Sequence, residues 1–391
     1  MRTLLSMAVL AAAVLSQDQA LRAFLVGQEA QGMAWLETQA LAGEPRTLDE
    51  ARDPTPLAAG YHVVDLVGTE PPVRYIAVIP QAAAPKGGRP LIVAYSRGPN
   101  PPDELPVRAA YGGFLEAGWT LLVPTRPGSM GLTNEPTNPE RNPWSTRGRQ
   151  LMSRLVADLA LRSPIDRERV SVLGRWTDRP AKLARPTWPT CDATPFAACW
   201  LVLPGGSSAP APDDVGRWQG RSAVFHRSRH NPDTTALLNK RLTSLSPPVN
   251  VRTVIDPHLD WAGQVVLGRD VIARTANDLR RPAEPDLLEF HCGAPYAPGH
   301  EWISAPTAAG VRLVARREAG AIALSTPDAP ASTLFHLELW FASDPGGVRV
   351  TFNERPVFGG TVPHDARAAL RCLRHQALTG RTARRVLILL P

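Results

Sequence analysis

Lysine is scarce in this chain: Lys86, Lys182 and Lys240 are the only lysines among the 43 basic residues. The arginines are scattered in ones and twos, with no run of five and no aromatic platform between them. A formal net charge of +7 spread in this way forms neither a nucleic-acid stripe nor a polybasic membrane patch. Cysteine is also sparse. Cys191, Cys199, Cys292 and Cys372 contain no C-x-x-C, which excludes a zinc ribbon or a thioredoxin-like redox site. His226 and His230 stand four apart in a segment read as irregular, with no nearby Glu or Cys to complete a ligand set, so neither a metal nor any other cofactor is expected. No apolar run reaches the length that crosses a bilayer as a helix.

What is present fits a folded protein. Apolar residues make up 43% and charged residues 20%, close to globular averages, and 391 residues exceed the usual reach of one hydrophobic core, so two domains are expected. Proline is abundant at 40 residues, roughly twice the average usage, which implies rigid connections and short helices. At the amino end Arg2 precedes an apolar stretch from Leu4 to Leu15 that closes on Ser16. That is the pattern of a signal peptide over residues 1–16, with a buried N-terminal helix as the alternative. The mature chain is then expected to be secreted or periplasmic, with no membrane span after signal removal. Export would permit disulfides; four cysteines allow three pairings, and Cys292 with Cys372 is the first to test.

Residues 17–56 carry apolar positions at helical spacing, including Leu21, Phe24, Leu25, Met33 and Leu36. From residue 57 to 280 short apolar runs alternate with helical patterns. The runs are Tyr61–Val67, Tyr75–Ile79, Leu91–Ala94, Thr120–Pro124, Val170–Leu173, Cys199–Leu203, Ser222–Phe225 and Val249–Ile255. The helical patterns are Val107–Glu116, Arg147–Leu161, Thr234–Leu245 and Trp261–Asn277. Several runs are continuously apolar, as strands buried on both faces must be, so a three-layer α/β domain with a mainly parallel sheet is predicted. A boundary falls at Asp278–Pro285. Residues 285–391 read as a small β-rich domain, with runs at Val311–Ala315, Ala321–Ser325, Phe335–Phe341, Val348–Phe352, Pro356–Gly360 and Arg385–Leu390 and one helix near His364–Leu373.

The stretches AGYHVVDLVG, RPLIVAYSRG, FLEAGWTLLVPTRPGSMG, SPIDRERVSVLG, FAACWLVLPGG and SAVFHRSRHNPDTT, in that order, resemble the α/β-hydrolase superfamily. More closely, residues 59–391 look like secreted bacterial prolyl oligopeptidase-like and polyhydroxyalkanoate depolymerase-like esterases and peptidases. The tail LELWFASDPGGVRVTFNERPVF with ALRCLRHQ is similar to the β-rich domain found in a subset of them. The resemblance implies an α/β-hydrolase fold with a nucleophile in G-x-S-x-G, on a strained strand-to-helix turn.

At that position the chain reads Gly174-Arg175-Trp176-Thr177-Asp178. Trp176 has no nucleophilic atom, and Pro180, Pro186 and Pro189 fall where the following helix should begin. The oxyanion loop corresponds to Tyr95-Ser96-Arg97-Gly98-Pro99, where bulk and a missing donor replace glycine. His230 stands where the acid belongs, and Asp233 comes three residues late. His258, after the strand ending at Ile255, occupies the catalytic histidine's place, although a lone histidine is more often a loop residue. Tyr95, Arg97 and Thr177 are the residues expected around the old pocket. Trp176, Trp188, Trp218 and Trp261 either line a groove or simply pack. The expectation is a catalytically degenerate hydrolase, a pseudoenzyme serving an unidentified ligand or protein partner. The alternative is an active esterase or peptidase that pairs His258 with Ser129, Ser96 or Thr177.

Overall fold

The computed structural model describes residues 21–22, 24–26, 48, 56–66, 73–94, 104–124, 149–175, 196–203, 218, 220–228, 236–245, 248–256, 269–276, 279–291, 302–305, 311–328 and 336–389. Its first part is one eight-stranded sheet. The strands are β1 (Gly60–Asp65), β2 (Arg74–Ile79), β3 (Arg89–Ala94), β4 (Thr120–Pro124), β5 (Ile165–Arg175), β6 (Ala198–Leu203), β7 (Ser222–Ser228) and β8 (Asn250–Asp256). They lie in the order β1-β2-β4-β3-β5-β6-β7-β8. β2 runs antiparallel to β1 and β4, and β3 to β8 are parallel. The expected α/β architecture with a mainly parallel sheet is present.

Side chains alternate across this sheet, as the two-residue period of a strand requires. Tyr75, Ala77, Leu91, Val93, Leu122, Val170, Val172, Cys199 and Phe225 enter one core. Ile76, Val78, Ile92, Leu121, Val123, Leu173, Trp200 and Val224 enter another on the opposite face. Four helices cover the two faces: α1 (Glu104–Glu116), α2 (Arg149–Arg162), α3 (Ala236–Thr243) and α4 (Arg269–Ala276). α2 contributes Met152, Leu155, Val156 and Leu159 to the first core, and α3 adds Leu242. α1 supplies Val107 and Phe114 to the second, and α4 adds Ile272 and Ala276. With both faces dry, the central strands have no polar side to show, hence their continuous apolar runs.

Gly88, immediately before β3, has φ +92°, and a Cβ there would stand 2.7 Å from the backbone of Ile165 and Asp166. Only glycine permits β3 to approach β5 this closely.

The C-terminal strands are β9 (Leu287–His291), β10 (Ile303–Ser304), β11 (Arg312–Glu318), β12 (Ala321–Ser325), β13 (Leu337–Phe341), β14 (Gly347–Phe352), β15 (Arg355–Thr361) and β16 (Arg385–Leu389). They form a five-stranded sheet β15-β14-β12-β11-β9 and a three-stranded sheet β10-β13-β16. Leu313, Ile322, Leu324 and Val350 from the first sheet meet Ile303, Leu337, Leu339 and Leu387 from the second in one core. β9 and β10 are absent from the strands expected from sequence.

The last helix, α5 (Ala366–Thr379), is capped at both ends. Asp365 Oδ1 accepts from the Ala368 amide at 2.7 Å, and Gly380, at φ +72°, returns its amide to Gln376 O at 2.8 Å. The sequence pattern places a helix packed on the β-rich part; the structure gives it two partners. Leu370 and Ala377 enter the first α/β core beside α2. Cys372 and Ala368 pack with Trp340 and Val386 on the outer face of the three-stranded sheet.

The segment between the two parts, residues 279–286, is held from both sides. Arg281 N donates to Glu168 O at 2.8 Å, Arg381 Nη2 to Pro282 O at 2.6 Å, and Trp302 Nε1 to Pro285 O at 2.8 Å. The Cys292–Cys372 disulfide is not formed. Cys372 is a buried free thiol turned into the apolar cluster beneath Trp340, and burial pushes its pKa up to about 12. Cys199 is also buried, whereas Cys191 and Cys292 lie outside the described residues. Among the described residues, no helix is long and apolar enough to cross a membrane.

Candidate functional site

The strand order fixes where a site can form. From β3 the chain passes through α1 on one face to β4, then through α2 on the other face to β5, which flanks β3 on its opposite side. β3 and β5 are therefore the pair at which the winding reverses. In open α/β sheets the crevice beyond the carboxyl ends at such a reversal is the ligand site.

Ala94, the last residue of β3, is level with Leu173 of β5. β5 continues through Gly174 and Arg175, which pair with Leu201 and Val202 of β6. β7 and β8 end side by side at Ser228 and Asp256. The next residue after β3 is Tyr95, with Arg97 two further on, and the next after β5 is Trp176, followed by Thr177. His230 comes two residues after β7 and His258 two residues after β8. All six therefore follow strands that end at one edge of the sheet. Tyr95, Arg97, Trp176, Thr177, His230 and His258 themselves lie outside the described residues, as do Ser96, Ser129, Asp233, Trp188 and Trp261.

Two neighbouring residues singled out from sequence are described. Trp218 is fully buried and stacks on Phe196 with ring centroids 6.3 Å apart, so it packs rather than lining a groove. His226 is not in an irregular segment; it is a buried residue of β7, registered between Val202 and Val254.

Sequence reasoning missed two buried polar clusters. In the first, Tyr75 Oη donates to Asp158 Oδ2 at 2.6 Å, and Arg162 Nε donates to the same oxygen at 2.9 Å. Burial raises the Asp158 pKa, and Arg162 and the tyrosine hydrogen bond pull against that rise. Tyr75 is held well above the ordinary phenol value, first by burial and then by the Asp158 charge. The group ties the antiparallel strand β2 to α2. An acidic residue on the apolar face that carries Leu155 and Leu159 was the available signal. The second cluster, Arg167 and Arg281 at the end of α5, has no signal in a chain so rich in arginine.

No family model matches the sequence, and no curated protein matches it either. Solved structures similar to it include an S-formylglutathione hydrolase from Agrobacterium tumefaciens, with a TM-score of 0.37 and 12% identity over 56% of this chain and 95% of that one. A dienelactone hydrolase from Anabaena variabilis has a TM-score of 0.36 and 14% identity over 57% of this chain and 97% of the other. An arylesterase has a TM-score of 0.35 and 10% identity over 66% and 98%.

Proposed function

We propose that this chain is an exported protein on an α/β-hydrolase scaffold, of the prolyl oligopeptidase-like and polyhydroxyalkanoate depolymerase-like kind, whose catalytic site is dismantled and whose role is binding. The observation that supports it is what the chain supplies where the sheet's winding reverses. β5 ends in Gly174-Arg175 and continues into Trp176, which has no oxygen or sulfur to attack a carbonyl. Across from it, β3 continues into Tyr95-Ser96-Arg97, where an oxyanion cradle would need closely approaching backbone amides. His258 follows β8 without a nucleophile or an acid at the matching addresses, and His230 follows β7 in the acid's place.

The test is incubation of the purified mature protein with a fluorophosphonate probe and with a short-chain aryl ester. Neither labelling nor turnover is expected. Stoichiometric labelling and turnover, both abolished by His258→Ala, would establish a displaced serine or threonine nucleophile and overturn this reading. Export is checked separately, by N-terminal sequencing of the protein recovered outside the cytoplasm. Removal of residues 1–16 is expected, and an intact Met1 contradicts it.

A further inference from the structure

A cavity of about 580 Å³ opens between α2 and α5, at the amino end of the sheet. Ile165, the first residue of β5, lines it, so it lies at the other end of that strand from Trp176. Its volume lies within the range of about 300–1,000 Å³ usual for small-molecule sites. Ala157 and Leu161 of α2 form one wall, and Leu373 and Ala377 of α5 face them. Cys372 also lines it as a protonated thiol, since burial pushes its pKa up to about 12.

The charges in the lining are all of one sign. Arg167, Arg384 and Arg385 border the cavity, and no Asp or Glu does among the described residues. Arg385 is partnered outside it, donating from Nη2 to Asp344 Oδ2 at 2.8 Å. Arg167 and Arg384 form no ion pair with any described residue. The guanidinium of Arg167 has one hydrogen bond, from Nη2 to the carbonyl of Leu378 at 3.2 Å. Burial and the neighbouring charge of Arg281 bring its pKa down to about 9 against the opposing charge of Glu168, so it remains a cation at neutral pH. Its Nε is buried with no hydrogen-bond partner, which is costly for a charged group. The dipole at the carboxyl end of α5 offsets part of that cost, and it does so at one donor.

We propose that this cavity binds a medium-chain fatty carboxylate, its head against Arg167 and Arg384 and its chain along the apolar walls of α2 and α5. The apolar lining argues against a small inorganic anion, which would gain nothing from Leu161 and Leu373. The guanidinium of Arg167, with its buried Nε unpartnered, argues against a neutral lipid, and the exposed Arg384 at the rim adds a second positive charge. A carboxylate satisfies both, because arginine offers it a forked pair of donors while the chain is removed from water. The site does not rest on the dismantled edge of the sheet, and either proposal can fail without the other.

The experiment is calorimetric titration of the full mature chain with decanoate, with decanol and acetate as the uncharged and tail-less probes. Decanoate is expected to saturate one site, and the two controls to bind at least roughly tenfold more weakly, the scale of losing a charge-assisted bond or a buried chain. Arg167→Gln is expected to weaken decanoate by roughly tenfold or more while leaving decanol unchanged. Ala160→Phe, which fills the cavity from α2, is expected to abolish decanoate binding. A cooperative thermal melt checks that this variant folds. If Arg167→Gln does not fold, Ala160→Phe decides alone. No decanoate binding, equal binding of decanol, or wild-type affinity in folded Ala160→Phe overturns the proposal.

Discussion

Arg281 joins parts of the chain that are far apart in sequence. Its guanidinium donates from Nη1 to Thr379 O at 2.6 Å and from Nη2 to Arg167 O at 2.8 Å. Its own amide bonds Glu168 O. Replacing it with methionine keeps much of the bulk but orphans two buried carbonyls, each worth about 1–3 kcal/mol; a clear fall in the denaturant midpoint is expected. Tyr75→Phe is a milder version of the same error. It leaves the buried Asp158 carboxylate with one donor fewer, at a cost of about 1–3 kcal/mol, read as a lower melting temperature. Asp158 also carries a pH signature. Its pKa is raised by folding, so the folded state holds that proton more tightly than the unfolded chain does. The associated stability is present below the ordinary aspartate value of about 3.9 and is lost as the pH climbs through the folded value. The same series in Asp158→Asn should lack that decline. Cys372 is expected to resist iodoacetamide at mildly alkaline pH in the native protein and to react after denaturation, because only the thiolate attacks and this thiol stays protonated there. Mapping the alkylated peptide by mass spectrometry checks this.

At the scale of elements, the turn between β14 and β15 places two non-glycine residues in left-handed backbone, Asn353 at φ 46° and Glu354 at φ 67°. Asn353 is held there by its side chain, with Oδ1 accepting from the Thr326 amide at 3.0 Å and Nδ2 donating to Thr326 Oγ1 at 3.1 Å. Glu354→Gly creates the Asn-Gly pair such a hairpin prefers and is expected to raise stability slightly, because relief of left-handed strain, roughly 1–2 kcal/mol, exceeds the added chain entropy of a glycine, about 0.4–1 kcal/mol. Gly88→Ala acts in the opposite sense. The clash with the backbone of Ile165 and Asp166 can only be relieved by separating β3 from β5, so poor yield of folded protein is expected. The sequence made strands such as Leu91–Ala94 and Thr120–Pro124 legible because burial on both faces leaves unbroken apolar runs. β10 was not legible, since two residues cannot show a period. β9, at Leu287–His291, follows the charged linker Asp278–Pro285 and, with Leu287-Leu288-Glu289-Phe290-His291, shows neither an unbroken apolar run nor a clean alternation. α5 runs beyond Leu373 to Thr379 because tertiary contacts bury its polar residues. His375 stacks on Trp340 at 4.2 Å, and Thr379 Oγ1 donates to His375 O at 2.7 Å. For the candidate site, sequence gave the addresses, each just beyond a strand end, but not an arrangement. Tyr95, Arg97, Trp176, Thr177, His230 and His258 all come after the last residue of the preceding strand, beyond the apolar periods on which such reading depends, and lie outside the described residues.

For the whole molecule, the proposed loss of catalysis at several separate places carries the prediction that no single reversion restores chemistry. On that proposal Trp176→Ser remains inactive toward aryl esters, because Arg97 and His230 are left unchanged; appreciable turnover by this variant would overturn it. The helix Ala366–Thr379 belongs to both cores, and this governs the timing of synthesis. The α/β sheet is complete in sequence by Asp256, yet the face of α2 that receives Leu370 and Ala377 stays uncovered until the ribosome has made about 200 further residues beyond Arg162. At synthesis speeds of ~5–20 residues per second that is roughly 10–40 s. During that interval the nascent chain presents an adhesive surface, so a chaperone or an export machinery that keeps it extended acts on the first part of the protein on behalf of the last.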